Sequence, residues 1–173
     1  SINTYHLQIK YCKIAEKYCK LKFKNLIVLR AGNIFGENKT KPSYIEKLLI
    51  ASINNLNLIE NKLNLKRSYI HIEEFCKAIS KIIQKNTKKY KLYNLSNKNY
   101  ILSSYQIKQL LIKKLKLKIS LKKKKIFVNI IRSVIYSKKF EKDFNFKFEN
   151  KFLKRLINLR NYYEKCYFNK NSF

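Results

Sequence analysis

A chain of 173 residues, 46% of them hydrophobic, is long enough for a packed core, which excludes an unstructured polycation despite a formal net charge of +30. No apolar run reaches the roughly 20 residues of a membrane-spanning helix and no secretory apolar segment is present, so a cytoplasmic protein without a membrane partner is expected. The cysteines, Cys12, Cys19, Cys76 and Cys166, form no C-x-x-C, and His6 and His71 are the only histidines, so zinc-site spacing is absent and free thiols are expected.

The charge has two readings: an anionic partner, or a composition biased toward Lys, Asn, Ile, Tyr and Phe, all of which have A/T-rich codons. Lysine heavily outnumbers arginine, whereas arginine is the better fork for phosphates and bases. Bias is the favoured reading, and no specific nucleic acid is expected.

In chain order, residues 6–22 read as a helix, with Ile9, Cys12, Ala15, Cys19 and Phe23 at helical spacing. LIVL (26–29) is a continuous apolar run and predicts a parallel strand covered on both faces. It leads into LRAGNIFG (29–36), which holds both glycines of the chain, Gly32 and Gly36. These bracket an expected loop at the carboxyl end of a strand, where open α/β sheets bind ligands; a plain turn is the alternative. Pro42-Ser43 opens a helix over 43–53, with Ile45, Leu48, Leu49 and Ser52 on one side. NLNLIENKLNL (55–65) predicts a short strand or hairpin, KRSYIHI (66–72) a strand, and 72–85 a helix with Phe75, Ile79, Ile82 and Ile83 as its stripe. KLYNLS (91–96) reads as a strand, Ser103-Ser104 caps a helix to about Leu115, and KLKIS (116–120) is a further possible strand. KKKK (122–125) reads as a solvated loop or edge, and 137–144 and 150–168 as helices. No repeat or Pro/Gly/Ser linker divides the chain, so a single unit over 1–173 is expected.

VLRAGNIFG (28–36), RSYIHIEEFCKAI (67–79), YNLSN (93–97), SKKFEKDFNFKFE (137–149) and LINLRNYY (156–163) together resemble the C-terminal half of NAD-dependent nucleotide-sugar epimerases and dehydratases, the extended short-chain dehydrogenases. RSYIHIEEF is similar to that family's R-D-Y-I-H-V-x-D, and LRAGNIFG to its R-x-x-N-x-x-G. The resemblance implies an α/β fold: the C-terminal portion of a Rossmann-like doubly wound sheet plus a small substrate-binding lobe. It implies a nucleotide-sugar substrate, NAD as cofactor, transient oxidation at sugar C4, and a homodimer as one oligomeric possibility. It places Ala31 and Gly32 beside the cofactor, and Asn33 and Arg67 on the substrate diphosphate. Arginine suits that contact chemically.

The resemblance also implies a Tyr-x-x-x-Lys pair, tyrosine as base and lysine as its electrostatic partner. Here Tyr5 is followed by Lys10 at +5, about 140° around a helix, so the two face each other only if Tyr5 precedes the regular helix or the helix bulges. His6 stands four before Lys10. Ser68 stands where the family has aspartate, and Glu74 lies near its second acidic position. Lys125, Arg132 and Tyr136 are the residues available for a nucleotide near the C-terminus, and none aligns with the family pattern. Two glycines cannot supply a G-x-x-G-x-x-G, so NAD would be bound mainly by an N-terminal half absent from this chain, and the chain alone is expected to be inactive. The rival readings are a degenerate non-catalytic relative and a basic nucleic-acid-binding module.

Overall fold

The computed structural model describes residues 4–37, 42–61, 65–85, 91–118, 120–124 and 134–168. Their order is α1 (Thr4–Lys22), β1 (Ile27–Ala31), β2 (Asn33–Phe35), α2 (Tyr44–Ile53), β3 (Asn57–Asn61), β4 (Lys66–His71), α3 (Ile72–Gln84) and β5 (Lys91–Leu95). A 3-10 turn (Lys98–Tyr100) follows, then β6 (Ile101–Ser103), α4 (Ser104–Leu115), β7 (Ser120–Lys124), α5 (Lys138–Phe144) and α6 (Phe152–Phe168).

The architecture is a forked sheet. β1 and β5 run parallel, in register from Ile27↔Lys91 to Ala31↔Leu95, and the Gly32 N–H donates to the Leu95 carbonyl at 2.8 Å. There the two strands part. β2 pairs in parallel with β4, Asn33 opposite Tyr69, while the Asn97 N–H donates to the Tyr69 carbonyl at 3.0 Å. The second half of β4 thus enters between β2 and the continuation of β5. Its first half pairs antiparallel with β6, Lys66↔Ser103 to Ser68↔Ile101.

Gly32 permits this insertion. A Cβ built there lies 2.7 Å from the Ser68 carbonyl oxygen, a backbone atom with no rotamer to move into. The stretch expected as a glycine-bracketed loop is therefore a strand that changes partner. Asn33–Phe35 extend because β4 offers them a ladder, a pairing no local pattern records. Gly36 ends that strand at φ +154°, where a Cβ would meet Ile72 Cγ2 at 2.4 Å. Its N–H is held by the buried Glu46 carboxylate at 2.8 Å; the same carboxylate accepts from Ser43 N–H at the start of α2. That reciprocal contact is half of a capping box, and it ties both ends of the 36–43 connection to one side chain.

Alternation along β4 separates two cores. Tyr69 joins Phe35 of β2, Tyr100 of the 3-10 turn, and Ile45, Leu48, Leu49, Ile107, Leu111, Phe152 and Leu156 from α2, α4 and α6. Its neighbour Ile70 joins Ala78, Tyr93, Leu95, Phe140 and Phe144 on the other side. Ile27 and Leu29 pack against this second cluster, but Ile27, Val28 and Leu29 are all only half-buried, so β1 is less covered than its continuous apolar run suggests.

Other differences from expectation have local causes. On α3 the inward stripe is Glu74, Phe75, Ala78 and Ile82; Ile83 faces outward, 74% exposed. On α1, Cys12 and Ala15 are exposed, as are Tyr11, Ile14, Tyr18 and Leu21, and so is Phe23 just past its end. Within 55–65 the expected short strand is β3, Asn57–Asn61, whose partner is the distant parallel β7. The strand expected at 116–120 begins at 120 and runs into the lysines expected as a solvated loop or edge. Lys116 takes the left-handed conformation (φ 53°) that ends α4, and the Leu117 N–H returns to the Leu111 carbonyl at 3.3 Å. Leu117 is thus spent on a helix cap with its own apolar contact. β6 is three residues set between two caps: Asn97 accepts from Asn99 N–H before it, and Ser103 accepts from Gln106 N–H after it.

Gly32→Ala should cost about 2 kcal/mol or more, in the range of overpacking against a rigid neighbour, and should lower the urea midpoint; an unchanged midpoint would contradict the fork geometry.

Candidate functional site

The mouth of the fork collects the residues singled out from the sequence between positions 31 and 67. Ala31 ends β1 and is exposed, Gly32 is half-buried at the split, and Asn33 and Arg67 are exposed on neighbouring strands. Asn33 Nδ2 donates to the Ser68 carbonyl at 3.2 Å. That bond fixes the amide beside the residue that follows Arg67 and leaves a second N–H on the same nitrogen for a ligand. The mouth lies at the carboxyl ends of the parallel pair β1–β5, the side where open α/β sheets take ligands.

Arg67 differs from the other arginines. Arg30 pairs with Glu16 at 2.5 Å, Arg155 with Glu74 at 2.8 Å and Glu149 at 3.2 Å, and Arg160 with Glu164 at 2.7 Å. Arg67 has no carboxylate partner among the described residues. In a chain that favours lysine, an exposed unneutralised guanidinium beside an oriented amide presents hydrogen-bond donors to anionic oxygens.

The remainder of RSYIHIEEF is structural. Tyr69 and Ile70 fill the two cores. His71 caps α3: its Nδ1 accepts from the Glu73 N–H at 3.3 Å, which assigns the ring proton to Nε2. Burial pushes the His71 pKa down to about 4, the Arg155 guanidinium adds to this, and Glu73 opposes it. The imidazole is therefore neutral at pH 7 and offers no charge to a ligand.

Glu74, at the second acidic position, is buried and faces inward. Its Oε1 accepts from Asn97 Nδ2 and from the Glu149 N–H, both at 2.9 Å, and its Oε2 lies 2.8 Å from Arg155 Nη1. One carboxylate thereby joins α3, the chain after β5, the approach to α6, and α6 itself. Arg155, Asn97 and Glu149 are not recognised from sequence. The signal available was the scarcity of arginine, which marks Arg155 as well as Arg67. Arg155 also lines a cavity of about 340 Å³ with Glu37, His71, Ile72, Glu73, Asn158 and Leu159.

α1 is continuous from Thr4 to Lys22, so Tyr5 lies within its first turn and not ahead of it. Its backbone position and that of Lys10 are about 140° apart around the axis; Lys10 is exposed. Tyr136 is exposed, and Lys125 and Arg132 lie outside the described residues. The four cysteines are free thiols. Among the described residues no group of His, Cys, Asp or Glu could hold a metal ion, and no helix is long and apolar enough to cross a membrane. The residues present do not fit the phosphates of a dinucleotide: both glycines are committed to the strand crossing and its end, and no glycine-rich turn opens a helix.

An α/β sheet whose parallel pairs part at their carboxyl ends defines a Rossmann-like class of protein. More specifically, the chain belongs to the NAD dependent epimerase/dehydratase family, whose model matches residues 7–96. No curated protein sequence matches it. Among solved structures, UDP-N-acetylglucosamine 4-epimerase from Methanobrevibacter ruminantium M1, in complex with UDP-N-acetylmuramic acid, is similar at TM-score 0.73 and 19% identity, over 94% of this chain and 54% of that one. MoeE5 in complex with UDP-glucuronic acid and NAD gives 0.73 and 11%, over 82% and 48%. dTDP-glucose 4,6-dehydratase from Bacillus anthracis str. Ames, in complex with NAD, gives 0.59 and 23%, over 80% and 44%. At these identities the likeness establishes the fold. The chain spans about half the length of these structures.

A histidine whose folded pKa lies below its unfolded value contributes stability that is present above about pH 6.5 and lost as pH falls through about 4. His71→Asn keeps a capping acceptor without a titrating ring. Between pH 7 and 4.5, wild type should lose about 2 kcal/mol more than this variant, read as the difference in urea midpoints; parallel losses would refute the neutral buried imidazole.

Proposed function

We propose that this chain is the nucleotide-sugar-binding half of an NAD-dependent epimerase or dehydratase, with Asn33 and Arg67 holding the substrate diphosphate. The observation that carries the reading is Arg67: exposed, without a carboxylate partner among the described residues, and next in sequence to the carbonyl that orients the Asn33 amide. A diphosphate is rich in acceptors and matches a guanidinium and an amide N–H as donors. Family membership and neighbours whose ligands are UDP-sugars support the same substrate class.

In this reading the parent enzyme oxidises its sugar transiently at C4 and then epimerises or dehydrates it. NAD is held mainly by a half outside this chain, with Ala31 and Gly32 at the edge of its site. Tyr5 as base and Lys10 as its partner remain the candidates on α1. A homodimer is the oligomeric state the family suggests. The second reading, a non-catalytic relative that retains the nucleotide site, is favoured by one observation. α1 runs unbroken through Tyr5, with Lys10 at +5 instead of +4.

Arg67→Ala should weaken UDP-N-acetylglucosamine binding by at least tenfold, the loss of one charge-assisted contact, and steepen no salt dependence. Isothermal titration of wild type and variant measures this; equal affinities would remove the Arg67 assignment.

A further inference from the structure

Ser68 stands between the two proposed phosphate ligands and is fully buried. Its carbonyl accepts the Asn33 amide at 3.2 Å. Its hydroxyl meets both polar groups of one remote residue: Oγ donates to the Ile135 carbonyl at 3.0 Å and accepts from the Ile135 N–H at 2.9 Å. Ser96, just past the end of β5, adds a hydrogen bond from its own Oγ to the same carbonyl at 2.6 Å. The Ser137 hydroxyl then bridges the Ser96 backbone, accepting from its N–H at 2.6 Å and donating to its carbonyl at 2.8 Å. Segment 134–137 is thus stitched across the fork by three buried hydroxyls.

We propose that Ser68 is a positioning residue for the Asn33–Arg67 pair, fixing the peptide between them by anchoring it to the Ile135 backbone. The inference rests on the reading of this rim as a diphosphate site. Successive residues of a strand point to opposite faces, so anchoring the Ser68 side chain on one face of β4 sets where Arg67 leaves the other. The same anchor sets the carbonyl that orients Asn33. A hydroxyl both donates and accepts, and Ile135 uses both functions; an ionised carboxylate at this position could only accept and would face the Ile135 carbonyl without a proton to share. Serine where the resembling family has aspartate is therefore matched to a contact made by this chain.

The test is calorimetric titration of UDP into wild type, Ser68→Ala, Ser68→Thr, Ser96→Ala, Arg67→Ala and the Ser68→Ala/Arg67→Ala double variant, with melting temperatures alongside. Ser68→Ala should bind UDP about tenfold more weakly, Ser68→Thr as wild type, and Ser96→Ala within about twofold, since Ser68 still holds Ile135. In the Arg67→Ala background, Ser68→Ala should cost clearly less than it does in wild type, because the part of its effect that passes through Arg67 is already lost and only the part through Asn33 remains. A folded Ser68→Ala protein with wild-type affinity, or an equal loss in both backgrounds, overturns the inference while leaving the diphosphate site standing. If Ser68→Ala does not fold, a weakened Ser68→Thr protein overturns it. Wild type that fails to bind UDP overturns the diphosphate reading and this inference with it.

Discussion

The arrangement of the sheet depends on a side chain that is missing. At Gly32 the backbone passes so close to the Ser68 carbonyl that no Cβ fits, and this close approach lets β4 enter between two strands that were paired up to Leu95. From that crossing follow the pairing of β2 with β4, the division of the core by Tyr69 and Ile70, and the exposure of Asn33 and Arg67 at the mouth. A chain with only two glycines places both where backbone meets another element: Gly32 against β4, Gly36 against the first residue of α3.

Much of this was legible in the sequence where the signal is local. The helices from Pro42-Ser43 and from Ser103 begin at their caps, and the periodic runs at 137–144 and 150–168 are helices within about two residues. What was not legible depends on partners far along the chain. NIF extends because β4 lies beside it, and the lysines of β7 extend because β3 does. The lysines of β7 extend against local preference, and β7 is also displaced by a left-handed cap at Lys116. The candidate site divides the same way. Asn33 and Arg67 could be named from their motifs, but the staple from Ser68 to Ile135 spans 67 positions and leaves no trace in either neighbourhood.

The stretch RSYIHIEEF shows how one short string mixes unlike duties. Arg67 faces out, Ser68 fastens a distant segment, Tyr69 and Ile70 are core, His71 is a neutral helix cap, and Glu74 is a buried carboxylate with an arginine and two N–H donors. Removing one partner from such a buried pair strands a charge, at a cost of about 3–5 kcal/mol, so changes at Glu74 or Arg155 act on folding before they act on any ligand. The net charge of +30 plays no comparable role. The lysines spread it over the chain, while three of the four described arginines neutralise specific carboxylates and the fourth stands open at the fork.

The central claim is that the open arginine and the oriented amide at the fork take a diphosphate. A crystal structure of this chain soaked with UDP-N-acetylglucosamine addresses it directly. The account predicts pyrophosphate oxygens within hydrogen-bonding distance of the Arg67 guanidinium and Asn33 Nδ2, with the Ser68–Ile135 bonds intact. Nucleotide bound instead in the cavity beside His71 and Arg155, with the fork vacant, would contradict it.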